Sequence, residues 1–193
     1  PEIHQAIGWA GVQTIPRVLS LSNDNHLLSE PVDTLASIRG DVYHLENIAL
    51  DDEHTIAKTG LYLDIVAEFN FAPSGNMALR LAMSEDGDAG ISLCYDAKSA
   101  ELTVERHYRD DNPLVESHSH TVVHPLIDGE ALQLRILLDG SVLEVIANKR
   151  ISITSRLYPE SKEQKFLHLS GNDTMLVHMD IYDMPSIWSS VTS

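Results

Sequence analysis

Three of the ten histidines in the chain are grouped. His118-Ser119-His120-Thr121-Val122-Val123-His124 could set three imidazoles along one strand face, and three histidines with a water make a catalytic zinc centre. On extended backbone, however, same-face neighbours stand roughly 7 Å apart, and His120 and His124 roughly 13 Å. One metal cannot join the outer pair without a bend, so the spacing argues for solvent-facing strand histidines, and no metal site is expected. The acidic groups Asp51-Asp52-Glu53, Glu85-Asp86-Gly87-Asp88 and Asp110-Asp111 lack the alternating oxygens and closing Glu of a calcium-binding loop. They are expected in solvated turns, where Asp serves local hydrogen bonds.

Other chemistry is equally thin. No Gly-x-Ser-x-Gly elbow supports a Ser/His/Asp triad, and no glycine-rich phosphate loop indicates a nucleotide or other cofactor. Ser170-Gly171-Asn172-Asp173 is read as a turn. Cys94, the single cysteine, cannot form an internal disulfide and stands in an apolar run, as a small core side chain does. Trp9, Tyr95, Tyr108 and Trp188 are the aromatic side chains on which a sugar ring could stack if the chain were a free-standing, lectin-like carbohydrate binder.

The elements that would carry these residues are strands. Apolar residues alternate in Leu61–Phe69, Met77–Met83, Ile91–Tyr95 and Leu132–Leu138, giving each run one core face and one wetter face. No window of a dozen residues carries an apolar stripe at helical period. Turn residues punctuate the runs at Gly40, Gly60, Pro73 with Gly75, Gly87 with Gly90, Asp111-Asn112-Pro113, Gly129, Asn148, Pro159 and Gly171. Asp139-Gly140 predicts a hairpin of Ala131–Leu138 against Val142–Ala147, and Asn148-Lys149 a turn into Ile151–Arg156. Short helical turns are expected at Asp33–Arg39 and Glu160–Lys165. The pattern is all-β, many short strands of a sandwich or a barrel.

Composition bounds the partners. The chain has 193 residues, 43% of them hydrophobic, which suits one sizeable core. Twenty-nine acidic against 13 basic residues leave a formal charge of −16, a field that repels a phosphate backbone and argues against nucleic-acid binding. No basic amphipathic stretch suits an anionic membrane surface, and no apolar run approaches the roughly 20 residues of a membrane helix. The chain starts at Pro1 without a leader, so it is expected to be a piece of a longer protein, and its compartment stays open between secreted and cytoplasmic.

Several strings, in order, resemble glycoside hydrolase family 32, the invertases, inulinases and levanases. Gly8-Trp9-Ala10-Gly11, with Pro16-Arg17-Val18-Leu19-Ser20-Leu21 after it, is similar to the segment that ends the family's five-bladed catalytic propeller. Glu30-Pro31-Val32 with Leu35 and Arg39 resembles the linker. Leu134-Arg135-Ile136-Leu137-Leu138-Asp139-Gly140-Ser141-Val142-Leu143-Glu144-Val145-Ile146-Ala147-Asn148 is similar to a hairpin of the C-terminal sandwich. Thr154–Pro159 and Tyr182–Trp188 resemble the strand after it and the usual ending. Asp139-Gly140-Ser141 replaces a common Asp-Arg-Ser, Ile146 a common Phe, and Glu105-Arg106 a common Asp-Arg.

The resemblance implies an organisation of residues 1–22 as propeller end and junction strand, 23–39 as linker, and 40–193 as the C-terminal β-sandwich, an all-β, two-layer antiparallel sandwich of jelly-roll or lectin-like type. It also implies a β-fructofuranosidase parent whose retaining chemistry needs two carboxylates flanking the bond. The family's Asn-Asp-Pro-Asn, Arg-Asp-Pro and Glu-Cys motifs are missing here, and Arg109-Asp110-Asp111 is only a near match in a sandwich turn. No catalytic or substrate-binding residue is therefore assigned, and this chain alone is expected to be inactive. The implied partners are the propeller of the same protein, a second copy through dimerisation, and a sucrose- or fructan-type sugar. A face that the propeller normally covers should expose apolar surface in the chain alone.

Overall fold

Where apolar residues alternate, the chain is extended and buries one set of side chains. A computed structural model describes residues 11–56, 60–84, 89–107, 119–157 and 166–185. The strands in chain order are β1 (Arg17–Leu21), β2 (Leu27–Pro31), β3 (Val42–Ala49), β4 (His54–Ile56), β5 (Tyr62–Met83), β6 (Gly90–Asp96), β7 (Glu101–His107), β8 (His120–Val123), β9 (Leu132–Asp139), β10 (Val142–Ala147), β11 (Ile151–Arg156) and β12 (Phe166–Asp183). A 3₁₀ helix spans Asp33–Ile38, where a helical turn is expected from the sequence. The second expected helical turn, Glu160–Lys165, lies outside the described residues, as do Gly87, Asp111-Asn112-Pro113 and Pro159.

All pairings are antiparallel, and they form two layers joined by two long strands. The first half of β5 pairs β9, which leads through β10 to β11; its other edge pairs the second half of β12, which carries β3. The second half of β5 pairs β6, which leads through β7 to β8; its other edge pairs the first half of β12, which carries β4. Both layers feed one core. Ile65, Phe69, Leu134, Ile136 and Val145 come from the first, and Leu79, Leu81, Leu93, Val104 and Leu169 from the second.

Two expected turns are corrected here. Pro73 with Gly75 lies inside β5, and Ser170-Gly171-Asn172-Asp173 lies inside β12. These residues make the bend that carries both strands from one layer to the other, and the β5–β12 pairing stops at the bend and resumes beyond it. The register slips between Asn172 and Thr174. A Cβ on Gly171 would stand 2.5 Å from the Asn76 carbonyl oxygen, and one on Gly75 would stand 2.5 Å from that of Asp173. Glycine lets the two backbones pass this closely. The Thr174 hydroxyl donates to the Asn76 carbonyl at 2.8 Å and closes the corner.

The β9–β10 hairpin forms with the expected strands, but Asp139 pairs Val142, so the two connecting residues are Gly140 and Ser141. Gly140 takes φ +57°, open to glycine at little cost. Asn148 and Lys149 are left-handed in the β10–β11 turn, φ 45° and 59°. The Asn148 amide repays its backbone by donating to the Ala131 carbonyl at 2.9 Å and to Glu130 at 3.1 Å.

Candidate functional site

The outward face of the first layer carries charge where solvent would be expected, yet much of it is covered. On β5 the outward residues are Asp64, Val66 and Glu68; on β9, Gln133, Arg135 and Leu137; on β10, Glu144 and Ile146. Asp64 is 0% exposed and Glu144 2%. What covers them is the segment from Ile15 to Gly40, made of the β1–β2 hairpin and the 3₁₀ helix, which lies across the sheet as a strap.

Three sets of bonds hold the strap. At one end Glu144 accepts from the Ile15 backbone N–H at 2.6 Å and from the Arg17 guanidinium at 2.5 Å. In the middle the Ser29 N–H donates to the Lys149 carbonyl at 2.8 Å, and Lys149 Nζ meets Glu30 at 2.7 Å. At the far end Arg39 Nε donates to Asp64 Oδ2 at 2.8 Å, its guanidinium lies 3.8 Å from the centroid of the Tyr182 ring, and the Gly40 N–H donates to the Asp183 carbonyl at 2.7 Å. Arg135 donates to the same Asp64 oxygen from within the sheet. Burial pushes the Arg135 guanidinium down from its usual range, and the Asp64 charge beside it acts the other way.

Asp64 and Glu144 share one face, with Leu137 paired to both between them. Two strand spacings put their Cα atoms roughly 9.5 Å apart. Each is held in an arginine ion pair beneath the strap, so neither carboxylate is free to flank a glycosidic bond. Chemically the arrangement is a joint.

Between the middle and far attachments the strap bridges a pocket of about 470 Å³. Val32, Ala36, Val66 and Ile146 supply its apolar lining, and Glu30, Asp33, Glu68, Gln133, Lys149 and His178 its polar groups.

The residues singled out from the sequence do not assemble. His118 lies outside the described residues; His120 is exposed on β8. His124 corrects the expectation of a solvated histidine. It is 3% exposed, its Nε2 meets Asn148 Oδ1 at 3.1 Å, and burial pushes its pKa down. Among the described residues no group of three or more His, Cys, Asp or Glu side chains is placed to hold a metal. Tyr95 is likewise no exposed sugar platform. It is 1% exposed in the core, packs tilted on Phe71 at 5.1 Å between centroids, and donates its hydroxyl to the His124 carbonyl at 3.0 Å. Its inward position follows from the Ile91-Leu93-Tyr95 alternation. Trp9, Tyr108, Trp188, Glu85–Asp88 and Arg109-Asp110-Asp111 lie outside the described residues. Asp51 and Asp52 are exposed at a bend, and Glu53 meets His168 Nδ1 at 3.1 Å. Cys94 is half-buried on the face opposite Leu93, and burial raises its thiol pKa.

Comparison with known proteins agrees with this architecture. Residues 34–183 match the family described as glycosyl hydrolases family 32 C terminal. The chain is similar to a sucrose-6-phosphate hydrolase from Escherichia coli, 27% identical over 92% of this chain and 35% of that protein. It is also similar to an acid β-fructofuranosidase from Vicia faba, 30% identical over 80% of this chain and 30% of that protein. Among solved structures, fructan 1-exohydrolase IIa from Cichorium intybus shares the fold with a TM-score of 0.77 at 19% identity, covering 93% of this chain and 42% of that one. Exo-inulinase from Aspergillus awamori does so with a TM-score of 0.75 at 18% identity, covering 91% of this chain and 36% of that one. The chain thus spans about a third of the length of the curated relatives it matches. An antiparallel sandwich of this topology, matched along most of its length by the family model, makes the chain a member of glycosyl hydrolase family 32, as its C-terminal domain.

Proposed function

We propose that this chain is the non-catalytic β-sandwich module of a β-fructofuranosidase acting on sucrose or fructans, and that it supports a catalytic propeller of the same protein. In this reading residues 1–22 end the propeller and form the junction strand, 23–39 link, and 40–193 are the sandwich. The observation that carries the reading is the fate of the two buried carboxylates. Asp64 and Glu144 are both spent on arginines that fasten the strap, and neither faces a substrate as nucleophile or acid.

A second feature supports the propeller as partner. Val18, Leu19, Leu21 and Leu27 are exposed on the β1–β2 hairpin, Leu19 at 63% and Leu21 at 68%. Leu21 pairs Leu27 across the ladder. A lone two-stranded ribbon with bare leucines is marginal in water and gains from a covering surface. The relatives have about two thirds of their length beyond the matched part, which supplies that surface.

The test is turnover. The purified chain is assayed on sucrose and inulin beside the parent protein carrying the upstream region. The chain alone is expected to leave both sugars intact while the parent cleaves one; hydrolysis by the chain alone overturns the reading.

A further inference from the structure

We propose that the pocket beneath the strap binds a small neutral polyol, of the size of one or two sugar rings. Its volume of about 470 Å³ falls in the usual range for small-ligand sites. Its existence follows from the fastening of the strap. Glu30–Lys149 pins one side and Arg39–Asp64 the other, so the 3₁₀ helix between them is held off the sheet.

The charge inventory selects the ligand class. Arg39, Arg135 and Lys149 line the pocket against Glu30, Asp33 and Glu68, with Asp64 paired to both arginines, so the lining holds no excess of positive charge for an anion. Glu68 Oε2 accepts from Gln133 Nε2 at 3.1 Å, and that pair offers one acceptor oxygen and one amide donor side by side on the open wall of the pocket. His178, cross-strand neighbour of Glu68, adds a ring nitrogen of either sense. Donors and acceptors alternate over an apolar lining of Val66, Ile146 and Ala36. Hydroxyls on a ring with a C–H face answer that pattern, whereas a fully apolar ligand would strip Glu68, Gln133 and His178 of water without replacing it.

The inference goes beyond the module reading and fails separately from it, because it is read by binding and that reading by turnover. The full chain, labelled with ¹⁵N, is titrated with sucrose, with fructose and with inorganic phosphate, following the backbone amides of Val66, Gln133 and Ile146 and the His178 ring. Saturable shifts confined to these groups are expected for a sugar, with a dissociation constant in the millimolar range (on the order of that of other small, weakly buried ligands). The double variant Glu68→Ala/Gln133→Ala should weaken binding at least tenfold while amide dispersion elsewhere stays unchanged. Should that variant lose its dispersion, Glu68→Gln alone replaces it, with a smaller loss expected. Linear, unsaturated shifts up to molar sugar overturn the proposal, as do shifts indifferent to both variants. Binding of phosphate in preference to either sugar overturns the neutral assignment.

Discussion

Replacing Asp64 by alanine tests whether the strap joint is an ion-paired structure holding real free energy. Asp64 is wholly buried, while the Arg39 and Arg135 side chains keep 18% and 24% of their surface exposed. Removing one partner of a buried ion pair costs about 3–5 kcal/mol, because the other charge stays behind unpaired. Here two guanidiniums are stranded, yet both reach water in part, so the lower part of that range applies, about 3 kcal/mol. For a domain of this size that corresponds to a fall in Tm of roughly 6–12 °C. Arg39→Ala should cost less, about 1–2 kcal/mol, because Arg135 continues to neutralise Asp64. Asp64→Ala and Arg39→Ala, combined in a double-mutant cycle, should be clearly non-additive. Urea unfolding followed by circular dichroism, with calorimetric Tm in parallel, measures all three. A cost for Asp64→Ala under about 0.5 kcal/mol, typical of a surface change, refutes the reasoning. So does an Arg39→Ala cost equal to that of Asp64→Ala.

Gly171→Ala should destabilise by about 1–3 kcal/mol, since its Cβ would press on the Asn76 carbonyl at 2.5 Å; an unchanged urea midpoint would show that the corner yields freely. His124 binds its proton less readily folded than unfolded, because burial pushes its pKa below the ordinary value. Its contribution is therefore present above about pH 6.5 and is lost as the pH falls below that. His44 has the opposite sign, because Asp180 and then Glu46 raise its pKa. Its contribution is full below about pH 6.5 and is lost as the pH climbs through the raised value. Urea midpoints between pH 5 and 8 for His44→Ala and His124→Gln should shift the pH profile in opposite directions, and parallel profiles would contradict both. Cys94 should react with a chromogenic disulfide reagent several-fold more slowly folded than in urea, since burial disfavours its thiolate; equal rates would place the thiol in open solvent.

The alternating runs were readable because each strand buries one row of side chains. Leu79 and Leu81, Leu93 and Tyr95, Leu134 and Ile136 all point inward as period two requires. The layer-crossing bends were misread for a physical reason. Pro73, Gly75 and Gly171 are the residues that end strands elsewhere, and composition does not distinguish a turn from a corner inside a continuous strand. The joint was missed altogether. Asp64 and Glu144 sit at outward positions, where alternation places solvent-facing charge, and period two cannot report a face covered by a distant segment. A signal did exist in Leu137-Leu138 and Val145-Ile146-Ala147, where the alternation fails and both faces are apolar, as happens when a strand is covered on each side.

The pairing of β12 has a consequence for biosynthesis. Among the described residues, β3 and β4 find their ladder partners in β12 alone, and each half of β5 has one edge open until β12 arrives. A nascent chain emerging from the ribosome thus carries unsatisfied edges in both layers until β12 is released, an interval in which edge-to-edge association competes with folding.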